Sequence, residues 1–301
     1  MIYVLSLTPC IDRTVSCEHF DLMKSNRVTP TRQDLGGKGV NCARTIRAMG
    51  GEVTLLGADF NGTVSRAMAD EMPCFLTETG LDMRVNTKIF DKSLMKTIEV
   101  NERAVPLTEC VLESVLQDTK ARLQSGDTLV LCGSLPTGAD ADTYARFAGT
   151  ANEKGANVLA DCSGDALKTV IREKVKLIKP NRNEMDELCG EDDAADYAEK
   201  CRALIEKSGV EGVLLSLGKD GSMLVTGNEV ITCPPPDVTV RGDIGAGDAM
   251  TAAAALCLSR GTDGLTMIRY ASAAAGAVLE KEGTQAPDKE DVERIYQTYL
   301  K

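Results

Sequence analysis

The 301 residues contain no tryptophan, a single histidine and only 4% aromatic residues. So few rings do not supply the stacking platform that single-stranded nucleic acid requires. The one histidine, His19, matches no catalytic pattern and is expected at the surface or at a hinge. Basic residues are also scarce: 34 Lys and Arg against 45 Asp and Glu leave a formal net charge of −11. Nucleic acid and anionic membranes both call for a basic face, so neither is expected as the main partner. An anionic substrate must then be held by a few local cations inside an acidic protein. No apolar stretch approaches the ~20 residues of a membrane span. The opening "MIYVLSL" is too short and lacks the basic start of a signal peptide, so it reads as a strand. No two of the eleven cysteines have C-x-x-C spacing. Their odd number and apolar settings ("LVLCGS", "AALCLS") argue for reduced, buried thiols in a cytoplasmic protein, not for a zinc site or disulfide frame.

What is there suits a large α/β protein with a substantial core; 43% hydrophobic and 26% charged residues are ordinary for a soluble globular chain. Short apolar runs ("IYVLSL", "EVTLLGA", "DTLVLCGS", "NVLADCS", "VKLIKPN", "GVLLSLG") alternate with helical patterns such as "GVNCARTIRAMG", which should end at Gly50–Gly51. That rhythm predicts a doubly wound, mostly parallel sheet with helices on both faces. Ligands of such sheets bind beyond the carboxyl ends of the strands. Ser134, Asp161, Asn181 and Ser216 are therefore candidates by position. Two segments, about 11–35 and 84–106, break the rhythm and alternate polar with apolar, as half-exposed strands do. They are expected to pair as a small second sheet, a lid or a dimer contact. "CPPPDV" reads as a stiff extended connector, and "GEDDAAD" (190–196) as a helix start with favourable first-turn acids.

Four glycine- or proline-marked motifs carry candidate chemistry. "RGDIGAGDAMTAAAA" (241–255) opens a helix on a loop almost without side chains. Such a loop exposes unpaired N–H groups and the positive end of the helix dipole. Asp248 there either caps the helix or works on something bound. "LGGKGVNCART" (35–45) is a second glycine loop opening a helix. It fails the P-loop pattern, because Gly follows Lys38, and the dinucleotide fingerprint, because Cys42 stands at the third glycine position. It is either a tight turn or a site where glycines let substrate reach the backbone, Asn41 bonds hydroxyls and Lys38 holds an anion. In "KPNRNE" (179–184), Pro180 sets a turn and Asn181 caps a helix, or Asn181 and Glu184 place a hydrated Mg²⁺, which prefers oxygen ligands. "SLGKDGSMLV" (216–225) reads as a strand, a glycine turn and a second strand.

Taken in order, "SLTPCID", "GGKGVNCAR", "RVNTK", "GSLPTG", "KPNRNE", "SLGKDG", "GAGD" and "EGTQAP" span nearly the whole chain. This series resembles the ribokinase-like (phosphofructokinase B) carbohydrate kinase family. "GGKG" and "RVNTK" resemble its branch acting on phosphorylated ketoses, the 1-phosphofructokinases and tagatose-6-phosphate kinases. The resemblance implies one ribokinase-like kinase domain over 1–301, with a β lid from the two alternating segments and a homodimer formed through it. It implies ATP-dependent phosphorylation of fructose 1-phosphate or tagatose 6-phosphate to the bisphosphate, with Mg²⁺ and with room for a monovalent cation. Asp248 would be the catalytic base, and Gly245, Ala246 and Gly247 the anion hole. Asp12, Gly37 and Asn41 would hold the sugar hydroxyls. Lys38 and Arg84, with Arg27 and Ser134, would grip its phosphate. Lys179, Asn181, Glu184, Ser216, Gly218 and Gly221 would line the ATP side, with Glu184 and Asn181 meeting the metal through water.

One departure stands out. The family writes Thr shortly before G-A-G-D, where this chain has Gly242–Asp243. Asp243 brings an extra negative charge toward the triphosphate; it either turns away to accept backbone N–H bonds or helps hold a metal ion. Two other readings follow: a sugar-phosphate sensor with little turnover, motivated by Asp243, and a kinase for another sugar or a nucleoside.

Overall fold

The structure, a computed structural model, describes residues 1–190, 196–242, 244–281 and 285–300. Asp243, residues 191–195 of the acidic "GEDDAAD" segment and residues 282–284 of "EGTQAP" lie outside the described residues.

The chain opens with strands β1 (Ile2–Ser6), β2 (Cys10–Cys17) and β3 (Thr29–Gly36), then helix α1 (Lys38–Ala48). β4 (Val53–Asp59), α2 (Thr63–Met68), β5 (Cys74–Glu78), β6 (Val85–Asp91) and β7 (Lys96–Asn101) follow. Next come α3 (Glu109–Arg122), β8 (Thr128–Cys132), α4 (Thr143–Glu153), β9 (Asn157–Asp161) and α5 (Gly164–Val170). After β10 (Leu177–Ile178) come α6 (Arg182–Cys189), α7 (Tyr197–Lys207), β11 (Gly212–Ser216), β12 (Ser222–Thr226) and β13 (Val230–Cys233). Helices α8 (Ala246–Arg260), α9 (Gly264–Leu279) and α10 (Lys289–Thr298) close the chain.

Nine strands form one sheet in the order β13-β12-β11-β10-β9-β8-β1-β4-β5. All neighbours are parallel except the β11–β12 and β12–β13 pairs, so "SLGKDGSMLV" is the expected hairpin. The period-2 alternation of strands divides their side chains between two cores. Val4, Leu55, Val130, Leu159 and Leu214 face α1, α8, α9 and α10. Leu5, Leu56, Leu131, Ala160 and Leu215 face α3, α4, α5, α6 and α7. A sheet covered on both sides buries its central strands, which is why β4 and β8 are buried at every residue and mostly apolar without alternation. Each Leu or Val so buried contributes about 1.5–3 kcal/mol.

The alanine run after Asp248 is also a core feature. Ala252, Ala253, Ala254 and Ala255 are fully buried, because α8 packs against both α1 and α9 and small side chains let the three helices approach. Eight of the eleven cysteines are buried as expected and all are free, but Cys110 and Cys189 are exposed, which corrects the reading of the thiols as uniformly buried. Among the described residues no helix is long and apolar enough to cross a membrane.

The two alternating segments form a second, four-stranded sheet of order β3-β2-β6-β7, with β2 and β6 parallel and the outer pairs antiparallel. Its strand ends lead directly into the glycine loop before α1. In the large sheet the chain leaves β1 toward β4 and β5 on one side, then returns to β8 on the other. The carboxyl ends of β1 and β8 therefore flank a topological switch point, where sheets of this kind leave a crevice for ligands.

Candidate active site

Two helices begin at this crevice with bare amino ends. α1 starts on Gly37 and α8 on Gly245, and neither first turn is capped by a side chain. Gly245 has φ 88°, a left-handed conformation that glycine adopts without strain. The free amides of Ala246, Gly247 and Asp248 are thus left to face an anion, assisted by the helix dipole. α6 contrasts with them: Asn181 accepts from the Glu184 amide at 3.0 Å and the Glu184 carboxylate accepts from the Asn181 amide at 2.9 Å, a complete capping box.

Asp248 is not the cap of α8. Its Oδ2 accepts a hydrogen bond of 2.9 Å from Asn41 Nδ2, which ties the starts of α1 and α8 together. Asp248 is only 8% exposed. Burial, then the charge of Asp161, pushes its carboxyl up to about 6, against the pull of the Asn41 bond, Lys38 and Lys179. A buried carboxylate poised near neutrality beside an anion-binding nest has the properties of a general base.

Asp161, at the end of β9, organises the cations around it. Its Oδ1 lies 3.0 Å from Lys38 Nζ and 3.5 Å from Lys179 Nζ, and its Oδ2 accepts from Thr251 Oγ1 at 2.7 Å. Burial works to raise the Asp161 carboxyl, but Lys179, Lys38 and the Thr251 bond together hold it below its ordinary value. Lys38 is in turn raised, chiefly by Asp161. The carboxylate thereby holds Lys38 in its charged form and draws Lys179 to the same oxygen.

A third group gathers around Thr8, just after β1. Thr8 Oγ1 donates to the Ser134 carbonyl at 3.0 Å, and the Arg84 guanidinium reaches the carbonyls of Thr8 and Glu102, each at 3.2 Å. Arg84 Nε is buried with no hydrogen-bond partner among the described residues. Gly37 also lies against Thr8, since a Cβ there would stand 3.2 Å from the Thr8 carbonyl oxygen. Asp12 sits on neighbouring β2. The structure therefore brings Lys38, Arg84, Ser134, Gly37 and Asp12 to one end of the crevice. Arg27 is not joined to them: it is exposed on the segment between β2 and β3 and, among the described residues, makes no hydrogen bond to the cluster. His19 is exposed as expected, with Nδ1 3.0 Å from Ser93 Oγ.

On the other side of the α8 amino end lies a cavity of about 550 Å³. Ser216, Gly218 and Gly221, which the resemblance puts on the ATP side, line it together with Ala246 and Gly247. Its apolar walls, Pro235, Val238, Val240 and Leu279 among them, were not singled out from the sequence. The "CPPPDV" stretch, read as a connector, is one of these walls. Thr251 was also missed, although its place three residues after Asp248 on one helix was the available signal. The sequence placed Asp161 at a strand end and gave it no role.

This geometry accords with what comparison of the chain with known proteins finds. The pfkB family carbohydrate kinase pattern matches residues 4–291, and the chain belongs to that family. It is similar to the 1-phosphofructokinase of Rhodobacter capsulatus, 31% identical over 99% of this chain and 96% of that protein. It is 30% identical to the ATP-dependent 6-phosphofructokinase isozyme 2 of Mycobacterium tuberculosis (strain ATCC 25618 / H37Rv), over 98% of this chain and 89% of that one. Among solved structures, Escherichia coli phosphofructokinase-2 in complex with substrates and products superimposes with a TM-score of 0.93 at 26% identity, covering 100% and 99% of the two chains. The protein is a carbohydrate kinase built on the ribokinase-like α/β fold.

Proposed function

We propose that this kinase transfers the γ-phosphoryl group of ATP to the free primary hydroxyl of a ketose monophosphate, fructose 1-phosphate or tagatose 6-phosphate, giving the bisphosphate. The observation that carries the reading is the buried Asp248 carboxylate at the uncapped start of α8, with Lys38 held charged beside it by Asp161. Asp248 takes the hydroxyl proton as the sugar oxygen bonds to the γ-phosphorus; the bond to the β-phosphate oxygen breaks and ADP leaves. The amides of Gly245, Ala246 and Gly247 face the charge that develops on the transferring group.

Lys38, Arg84 and Ser134, with Arg27 as an outer contact, hold the existing phosphate. Asp12, Gly37 and Asn41 hold the hydroxyls. ATP lies along Lys179, Ser216, Gly218 and Gly221, its base in the apolar cavity. Asn181 Oδ1 and Glu184 Oε2 are engaged in the α6 capping box. That leaves Glu184 Oε1 and second lone pairs, a donor set suited to meeting Mg²⁺ through water. Bound there, Mg²⁺ would shield the phosphate charge.

The small sheet serves as a lid of one kinase unit, and the exposed apolar residues of the connections between its strands, Met23 (90%) and Met95 (74%) among them, support pairing with a second copy. A panel of fructose 1-phosphate, tagatose 6-phosphate, fructose 6-phosphate and the free sugars, each with ATP and Mg²⁺ and read by ADP release, tests the reaction. Turnover of free sugars alone would overturn the phosphorylated-substrate reading.

A further inference from the structure

The small sheet carries a pair of buried opposite charges, of which the reaction above uses Asp12 but gives Lys88 no part. Asp12 on β2 and Lys88 on β6 are each only 5% exposed, and Lys88 Nζ lies 3.1 Å from Asp12 Oδ2. β2 and β6 are parallel neighbours with Asp12 opposite Asn86, so Asn86 and Lys88 share one face two residues apart. The second carboxylate oxygen, Oδ1, takes Asn86 Nδ2 at 3.4 Å and Cys10 Sγ at 3.5 Å. Gly36 completes the setting. A Cβ there would stand 2.5 Å from Asp12 Oδ2, so the carboxylate rests on bare backbone immediately before Gly37 and Lys38.

A half-exposed sheet does not need such a pair for its own stability. Two charges taken out of water cost more than they return unless the geometry is tight, and apolar pairs of similar volume are often as stable or more so. The pair is therefore better explained by what Asp12 faces than by the strands it joins.

We propose that Lys88 is a positioning residue of the sugar site. It holds the Asp12 carboxylate at a fixed angle as an acceptor for sugar hydroxyls, with Asn86 steadying the other oxygen. It also cancels the Asp12 charge, so that a substrate carrying a phosphate can lie beside this carboxylate without repulsion. The inference rests on the reading that Asp12 meets the sugar.

The test compares the full chain with Lys88→Met, Lys88→Arg, Asp12→Asn and the Asp12→Asn/Lys88→Met double variant. KM is measured for ATP and for fructose 1-phosphate, tagatose 6-phosphate and fructose 6-phosphate, with Tm alongside. Lys88→Met should raise the KM of the sugar phosphate ten- to hundredfold and leave that of ATP within twofold. Lys88→Arg, which keeps the charge, should recover most of the loss. Because Lys88 acts through Asp12, the double variant should match Asp12→Asn, not show the product of the two effects.

A lowered Tm with unchanged sugar-phosphate KM in Lys88→Met, or effects that multiply, overturns the inference. If Lys88→Met fails to fold, the double variant, free of both charges, still decides: a KM matching Asp12→Asn supports the inference, and a further tenfold rise overturns it. If Asp12→Asn itself leaves KM unchanged, the sugar-contact reading of Asp12 falls and the role of Lys88 with it. Reduced affinity in Asp12→Asn with none in Lys88→Met removes the Lys88 inference alone.

Discussion

Replacing Asp248 with Asn should make the protein nearly inactive and, at neutral pH, more stable. The two effects have one cause, the cost of keeping a charge in a buried site. Burial and Asp161 raise the Asp248 carboxyl from 3.8 to about 6. A group whose folded pKa is raised contributes stability that is fully present below the unfolded value and lost as pH rises through the folded value. Asp248 therefore favours the folded state below about pH 4, and that contribution disappears between about pH 4 and pH 6. Above pH 6 the ionised carboxylate costs at most about 3 kcal/mol, because a tenfold change in proton affinity is worth about 1.36 kcal/mol. Asparagine carries no charge, and its amide oxygen can still accept from Asn41 Nδ2. Asp248→Asn should then unfold several degrees higher at pH 8, since 1 kcal/mol moves Tm by about 2–4 °C in a protein of this size range. The gap should close as pH falls toward 4. Turnover should drop by about 10²–10⁴-fold, the usual loss on removing a general base, while calorimetric binding of sugar phosphate survives. Equal Tm values at pH 8 would refute the desolvated carboxylate; retention of most of kcat would refute the base.

Three further outcomes follow from the same geometry. The acid limb of kcat/KM should lie near pH 6 and fall tenfold per unit below it, because protonated Asp248 cannot accept the hydroxyl proton; Asp161→Asn should move that limb to lower pH by removing a neighbouring negative charge, whereas a limb set by titration of the substrate's own phosphate would not move. Lys38→Ala and Arg84→Ala should each raise the KM of the sugar phosphate roughly 10–100-fold, as charge-assisted bonds contribute about 1.5–3 kcal/mol; unchanged KM in both would rule out their grip on the phosphate. Light scattering should show a dimer at micromolar concentration, and Met23→Glu with Met95→Glu should shift it to monomer; a monomeric parent protein would count against pairing through the small sheet.

The large sheet was legible because its strands satisfy two demands at once. Segments such as "DTLVLCGS" and "NVLADCS" are buried on both faces, so they are apolar throughout, and each ends in the small or polar residue that turns toward the crevice. The second sheet was legible for the opposite reason. β2 alternates buried with more exposed positions, and β6 is only partly covered, so neither is the continuous apolar run of a strand buried on both faces. Local pattern could not place α8 between α1 and α9. Its alanines carry no periodicity, and their burial follows from how closely the three helices approach.

In the active site the residues found were those whose motifs concentrate several functional groups in a few positions. The contacts that no motif revealed act across long separations. Asp161 and Lys38 are 123 residues apart, Thr251 is 90 from Asp161, and Asp12 is 76 from Lys88. Each contact joins two elements that the sheet topology brings together, and no local spacing encodes it. The wall formed by Pro235, Val238 and Val240 was missed for a different reason: an apolar residue in an extended connector reads the same whether it covers a core or lines a cavity. Reading Asp248 as a base rested on the resemblance and on the glycines before it; the hydrogen bond from Asn41, 207 residues earlier, lay beyond any local motif. The "GAGD" loop leaves the first amides of α8 without a side-chain cap, and the start of α1 holds its aspartate through Asn41.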